Sequence, residues 1–185
     1  MNKDQLSHKL SNSIFNRNRY TVTIDIRRLA RGLMFYIDGN KDGEIATSAD
    51  VFADGIPAFQ RDNDKWDLQR QINFVENVVS GYKPTIQLYT LSEEGCMARS
   101  YILDGLQRIT ALFSFINGDF NIFDGQVSFA DLVEYKLSRQ IINLEVFTFG
   151  SHAEAAQFYI DINRGITHSD ADIERAVNFI AESKA

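Results

Sequence analysis

The apolar and polar positions along the chain predict an irregular mixture of strands and helices. Period-two alternation, typical of half-buried strands, marks residues 85–91, 99–103 and 142–149. Apolar residues at helical spacing mark residues 26–37, 67–80, 106–117, 129–140, 151–163 and 169–183. Because strands and helices do not alternate strictly, we expect an α+β fold.

Turn residues predict two hairpins. The first joins strands 85–91 and 99–103 through the polar turn at 92–95, and the second is centred on Asp124-Gly125. Residues 21–26 begin like a strand before the helical pattern takes over. We expect residues 51–62 to be extended, because Pro57 fixes the path of the chain there.

Residues 98–119 carry the clearest signals. A strand ends at Asp104-Gly105, and a helix follows at once and stops at Asn117-Gly118. Four apolar residues at helical spacing form the buried stripe of this helix: Leu106, Ile109, Phe113 and Ile116. Leu106 is therefore predicted to belong to the core.

The start of this helix has two interpretations. Asp104 and Gln107 have the spacing of a capping box, in which each side chain satisfies an unpaired N–H group. Alternatively, the unpaired N–H groups hold a phosphate, and Arg108 adds a forked cation at the same place. A cap does not exclude a phosphate site, because both use the same amides.

Residues 38–45 resemble a calcium-binding loop only in part. Asp38, Asn40, Asp42 and Gly43 match its first half, but the position of the bidentate glutamate holds Ala49. We interpret this segment as a double turn and expect no calcium site.

Composition indicates a protein with a substantial core and no membrane anchor. The chain has 185 residues, of which 44% are hydrophobic, and no apolar run reaches membrane-spanning length. The N-terminus lacks the apolar core of a signal peptide, and Cys96 has no cysteine to pair with. We therefore expect a cytoplasmic protein, in a bacterium or a phage-infected cell.

Charge is distributed unevenly. The net charge is −6, yet residues 1–31 carry seven cations against two carboxylates, so the rest of the chain carries −11. Arg27, Arg28 and Arg31 lie off the apolar stripe predicted for residues 26–37, so we expect them to form one exposed cationic patch. This patch binds either an anionic partner, DNA included, or the acidic body of its own fold.

Common catalytic and metal-binding patterns are absent from the sequence. His8, His152 and His168 have no partners at metal-ligand spacing, and neither a nucleophile elbow nor a Walker-type glycine loop occurs. Glu93 and Glu94 beside Cys96 would disfavour a thiolate. We therefore predict no resident metal site of the zinc type, with no residues assigned as metal ligands, and no cysteine nucleophile.

Three polar clusters, each beside a glycine or proline, carry a resemblance to a known family. They are IPAFQR (56–61) followed by Trp66, the DGLQR turn (104–108) and INRG (162–165). In order and spacing they resemble the "IPxYQR…W", "DGQQR" and "N…G" signatures of the N-terminal domain of GmrSD-type, modification-dependent restriction proteins. The resemblance covers residues 56–173, and we expect residues 1–185 to form one domain.

The resemblance implies a ParB/sulfiredoxin-like α+β fold with a small mixed sheet and surrounding helices. It also implies a pocket for a nucleoside triphosphate with Mg²⁺ beside the DGQQR turn. Carried to this sequence, Asp104 and Arg108 are the expected catalytic residues. The expected nucleotide-binding residues are Gln60, Arg61, Gly105, Gln107, Asn163 and Arg164. Implied partners are a nucleotide and, through a nuclease or another restriction- or CRISPR-type complex, DNA.

Two departures from the family pattern leave two hypotheses open. Leu106 replaces a glutamine of the motif, and we expect the chain to end without the HNH-type nuclease domain of larger relatives. The first hypothesis is a nucleotide-binding domain of a DNA-defence or DNA-processing system, with or without slow hydrolysis of the triphosphate. The second is a non-enzymatic protein, such as a phage-encoded inhibitor, that binds a host nucleic-acid-targeting defence complex. A direct nuclease ranks below both, because no metal-ligand cluster is evident.

Overall fold

The computed structural model describes Lys3, Gln5 and residues 19–29, 55–60, 66–92, 99–134, 140–163 and 170–182. Its strands are β1 (Arg19–Asp25), β2 (Thr85–Leu91), β3 (Ser100–Asp104) and β4 (Ile141–Phe149). Its α-helices are α1 (Leu68–Val79), α2 (Leu106–Asn117), α3 (Phe129–Glu134), α4 (His152–Asn163) and α5 (Asp170–Glu182). A short 3-10 helix, Ile26–Arg28, follows β1.

The four strands form one mixed sheet in the order β1-β4-β2-β3. β2 and β3 form an antiparallel hairpin, β1 and β4 are also antiparallel, and β2 and β4 are parallel neighbours at the centre. The β2–β3 register shifts between Gln87 and Leu88, which marks a bulge near the end of β3. This arrangement confirms the predicted α+β class and the first hairpin.

The sheet is covered by helices on both faces. Its first face carries Leu88, Ile102 and Leu144, which pack in one cluster with buried residues of α1 and α2. Its second face carries Tyr89, Phe147 and other residues that pack with α4 and Ala176 of α5. Because side chains alternate along a strand, neighbouring residues serve opposite layers of core.

Most predicted elements occur close to their expected bounds. The predicted helices 67–80 and 106–117 are found as α1 and α2, and Ser151 caps α4 by accepting a hydrogen bond from Glu154 N at 3.2 Å. The second hairpin is reduced to a bridge between Ile122 and Val127.

Three local predictions were wrong. Residues 58–60 form a turn and are not extended, with Gln60 N donating to Pro57 O at 2.9 Å. β1 begins at Arg19, two residues before the predicted start, because it pairs with the length of β4. The apolar stripe predicted for residues 67–80 includes Leu68 and Val75; Leu68 is 56% exposed, whereas Val75 is buried together with Phe74 and Val78.

Several predicted features lie outside the described residues. They are the helix from Arg31 to Ile37, the loop at 38–49, the turn at 93–95, Cys96, Arg61 and Arg164. Among the helices that the structure describes, none is long and apolar enough to cross a membrane.

Candidate functional site

The strand-to-helix turn at Gly105 depends on a residue without a side chain. Gly105 is the N-cap of α2 and has a φ of 102°, in the left-handed region. A Cβ at this position would lie 3.3 Å from Cγ1 and 3.4 Å from Cα of Ile86. The backbone therefore passes directly over β2 as it turns from β3 into α2.

The capping-box interpretation of this turn was wrong. The N-cap is Gly105, so α2 receives no side-chain cap hydrogen bond, and Asp104 instead pairs with Arg108 at 3.4 Å between Oδ2 and Nη2. A true capping box occurs at α3, where Asp131 accepts from Ser128 N at 2.8 Å and Asp131 N donates to Ser128 Oγ at 3.3 Å. These Ser128 hydrogen bonds lower the pKa of Asp131.

The Arg108 side chain is held in place beside the 104–108 turn by two contacts. Its Nη1 donates to the carbonyl oxygen of Thr85 at 2.6 Å, where β2 begins, and its side chain is 34% exposed. The guanidinium is held by β2 on one side and by Asp104 on the other, and part of it still faces solvent. It can therefore meet an anion without a large rearrangement.

Gln107 carries a buried amide nitrogen without a hydrogen-bond partner in the described part of the chain. The residue is 5% exposed and lies in the first turn of α2, and its Nε2 has no hydrogen-bond partner among the described residues. An unsatisfied buried donor costs about 1–3 kcal/mol. Such a group requires an explanation, and an absent ligand is one.

Gln60 attaches the 55–60 turn to the end of β3. Its Nε2 donates to the carbonyl oxygens of Ile102 at 3.3 Å and Leu103 at 3.1 Å, and its own carbonyl accepts from Arg175 Nη1 of α5 at 3.1 Å. This contact brings the first polar cluster beside the second, although they are more than 40 residues apart in sequence.

Asn163 lies one helical turn after Tyr159, whose ring packs near Phe59 of the 55–60 turn. It is 4% exposed, and its Nδ2 donates to the carbonyl of Tyr159 at 2.7 Å, one turn earlier in α4. The Tyr159 ring lies 5.7 Å from the ring of Phe59, which precedes Gln60. In this structure the Asn163 amide therefore fixes the end of α4.

The sequence did not predict a further polar cluster, which lies on the sheet and is centred on Glu145. Glu145 of β4 accepts from Gln87 Nε2 at 3.0 Å and pairs with Arg19 Nη1 at 3.0 Å. Its side chain is only 16% exposed. The sequence signal for this cluster was the pair Asn143 and Glu145, two polar residues on the same side of an otherwise apolar strand. Such a pair is also typical of an ordinary strand with one face in solvent.

The structure describes two of the three arginines of the predicted cationic patch. The Arg27 guanidinium donates to Asp25, with 2.9 Å between Nε and Oδ1, and this hydrogen bond and the charge of Asp25 raise the pKa of Arg27. Arg28 is exposed, and Arg31 lies outside the described residues. Asp25 thus largely neutralises one of the three predicted cations.

Two other kinds of feature could mark a site. The described residues contain no group of three or more His, Cys, Asp or Glu side chains that could hold a metal ion. A groove of about 400 Å³ runs along α5 and is lined by Ala58, Glu174, Arg175, Asn178, Phe179 and Glu182. It lies beside the 55–60 turn and does not include residues 104–108.

All three polar clusters lie within a stretch of the chain that matches a known protein family. Residues 38–182 match the family described as the N-terminal domain of the GmrSD restriction endonuclease. The chain belongs to this GmrSD N-terminal domain family. The match spans more than half of the chain and includes all three polar clusters, so it confirms the resemblance.

Membership in the GmrSD N-terminal domain family connects the chain with DNA restriction. Neither the curated proteins nor the solved structures contain a match to the chain.

Proposed function

We propose that this GmrSD-type domain binds a nucleoside triphosphate with Mg²⁺, with the phosphates at the N-terminus of α2, in a DNA-restriction system. The proposal combines the family with the geometry of the 104–108 turn. It also includes the ParB-like nucleotide pocket that the motif resemblance implies.

The observation that supports the proposal most directly is that the N-terminus of α2 has no side-chain cap. Gly105 offers no side-chain oxygen to the first N–H groups of the helix, and the nearby Gln107 amide is buried without a partner among the described residues. Helix N-termini attract anions through these N–H groups and the helix dipole. A phosphate group provides several acceptor oxygens for donors arranged in this way.

Arg108 and Asp104 complement the phosphates and the metal ion. The guanidinium offers five N–H donors in a planar fork, and its contacts with Thr85 and Asp104 use Nη1 and Nη2. Mg²⁺ commonly binds one or two protein carboxylates together with substrate phosphates, so the partly exposed Asp104 fits that ion. In this arrangement Asp104 receives the metal and Arg108 neutralises the phosphates.

The other expected residues have supporting roles in this proposal. Gln60 fixes the last residues of β3, and Asn163 fixes the end of α4 beside the 55–60 turn. Arg61 and Arg164 are proposed to flank the nucleotide, as the family motif implies. Catalysis at such sites consists mainly of positioning and charge neutralisation.

Thermal unfolding with and without nucleotide tests the proposal. Each of the four ribonucleoside triphosphates is added with Mg²⁺, and a ligand at 100 times its Kd should raise the Tm by about 5–10 °C, because it stabilises the native state by mass action. Arg108→Ala should remove this shift, whereas the exposed Arg28→Ala should retain it. An equal shift in wild type and Arg108→Ala would contradict the proposed site.

Phosphate release measured on the same protein separates binding from slow hydrolysis. If no triphosphate binds the wild-type protein, the non-enzymatic alternative, in which the domain engages a nucleic-acid-targeting defence complex, becomes the better explanation.

A further inference from the structure

The second face of the sheet changes character along its strands. One cross-strand row consists of Phe147, Tyr89 and Tyr101, and Phe147 and Tyr89 are buried in the core beneath α4. The next same-face row, two residues earlier on β4 and β2, contains Glu145 and Gln87. The apolar row packed beneath α4 is therefore followed by a polar strip, formed by Glu145 and Gln87.

This polar strip leads to the 104–108 turn. In register, Thr21 is opposite Glu145, Glu145 is opposite Gln87, and Gln87 is opposite Asp104. Neighbouring strands lie about 4.8 Å apart, so Glu145 is about 10 Å from Asp104 at the backbone. This distance lies within the span of a nucleoside triphosphate laid across the strands.

Glu145 is held as an oriented acceptor. Gln87 Nε2 donates to Oε2 at 3.0 Å, and Arg19 Nη1 lies 3.0 Å from Oε1. The Arg19 guanidinium is itself positioned over the Phe147 ring, 5.8 Å from its centroid. A carboxylate has about four lone-pair directions, so these two donors leave acceptor capacity on both oxygens.

The bulge lies within the same strip. The β2–β3 register shifts between Gln87 and Leu88, at the point where Gln87 meets Asp104. Bulges are enriched beside active sites because they re-aim side chains. This one occurs where the polar row of the sheet meets the turn that leads into α2.

We infer that Glu145, positioned by Gln87 and Arg19, recognises the ribose hydroxyls of the nucleotide whose phosphates lie at α2. The inference rests on the proposed nucleotide site and adds a preference for ribonucleotides over 2′-deoxyribonucleotides. A carboxylate repels phosphate but accepts hydrogen bonds from hydroxyl groups, as acidic residues do for ribose in dinucleotide-binding folds. Its position two strands from the 104–108 turn suits the sugar.

Calorimetric titration with three kinds of probe tests this inference. The probes are the ribonucleoside triphosphates, their 2′-deoxy counterparts and inorganic tripolyphosphate, all with Mg²⁺. Wild type should prefer the ribonucleotide by about tenfold, the value of one hydrogen bond to a charged group. Glu145→Gln should reduce that preference to about threefold or less, with tripolyphosphate affinity unchanged within about twofold.

A matched control variant and a second test variant separate a specific effect of Glu145 from a general loss of charge or stability. Glu134→Gln changes an exposed glutamate at the end of α3 and should retain the full ribose preference. Gln87→Met removes a donor that orients Glu145, so it should also reduce the preference, and it replaces Glu145→Gln if that variant unfolds.

Each contradictory result has a distinct meaning. Equal wild-type affinity for ribo- and deoxyribonucleotides would overturn the inference, as would a full preference retained in Glu145→Gln. Equal loss of tripolyphosphate and nucleotide would show that Glu145 acts only through the fold, and would also overturn it. Wild type that binds ribo- and deoxyribonucleoside triphosphates equally well refutes this inference alone, whereas wild type that binds no nucleotide refutes the proposed function as well.

Discussion

Gly105 passes so close to Ile86 that a Cβ at Gly105 would press against it, where the turn into α2 crosses the start of β2. A Cβ on Gly105 would approach Ile86 Cγ1 to 3.3 Å, at a φ of 102° that L-residues rarely adopt. The start of α2 is therefore determined by backbone shape.

Gly105→Ala should destabilise the protein by more than the usual cost of a left-handed residue, which is about 1–2 kcal/mol. Gly81→Ala is the matched control, because Gly81 has a φ of 110° and a Cβ there would meet no atom within 4 Å. Urea unfolding of both variants gives the comparison. Equal losses would mean that the Ile86 contact contributes nothing.

Leu106→Ala should lower the free energy of unfolding by about 2–5 kcal/mol, because Leu106 is 4% exposed within the first-face core. Leu106→Gln, which introduces the glutamine that the motif resemblance implies, should also destabilise, since it buries an amide among apolar neighbours. Denaturant titration measures both. A well-folded Leu106→Gln variant with faster triphosphate hydrolysis would instead assign this position to the site.

Asp104→Asn should separate the structural role of Asp104 from its proposed role with Mg²⁺. The ion pair with Arg108 is partly exposed and 3.4 Å long, so stability should change by less than about 1 kcal/mol. Affinity for the triphosphate in Mg²⁺ should fall, while affinity measured in EDTA should not. A variant that binds the Mg²⁺ complex as wild type does would remove Asp104 from the metal's environment.

Asp131→Asn should lower the Tm at neutral pH and have little effect in strong acid. Hydrogen bonds from Ser128 keep the pKa of Asp131 below its ordinary value of 3.8, so ionised Asp131 stabilises the fold. That contribution is complete above the pKa of the unfolded chain and is lost as the pH falls through the lower pKa of the folded state. A Tm difference that persists unchanged in strong acid would contradict this assignment.

Binding of duplex DNA by the basic N-terminal segment should be weak even at low salt. Asp25 already pairs with Arg27, and the residues after position 31 carry a net charge of −11. Substitution of Arg27, Arg28 and Arg31 by alanine should therefore change the salt dependence by less than the roughly three units expected of three free phosphate contacts. Tight, salt-sensitive binding that the triple variant loses would show that the patch binds DNA.

The sequence predicted elements better than it predicted contacts. Gly105 and Gly118 delimit α2 in the structure as in the pattern, and the burial of Leu106 followed from helical spacing. The capping box failed because local spacing does not reveal that Asp104 pairs with Arg108.

Contacts between residues far apart in sequence could not be predicted for a related reason. Gln60 binds a carbonyl 43 residues away, and Gln87 binds a carboxylate 58 residues away. The first contact depends on the position of the 55–60 turn and the second on the parallel pairing of β2 with β4, and no local pattern specifies either. The Glu145 cluster was missed because a polar residue in a strand also fits a solvated face.

The parallel pairing at the centre of the sheet has a consequence for biosynthesis. The β2–β3 hairpin can form soon after it leaves the ribosome, but β2 gains its second neighbour, and the edge strand β1 its neighbour in the described sheet, only when β4 has been made. At about 5–20 residues per second, translation from Leu91 to Phe149 takes about 3–12 s. Throughout that interval the nascent chain exposes an unpaired β2 edge, which is a template for pairing with other chains until β4 covers it.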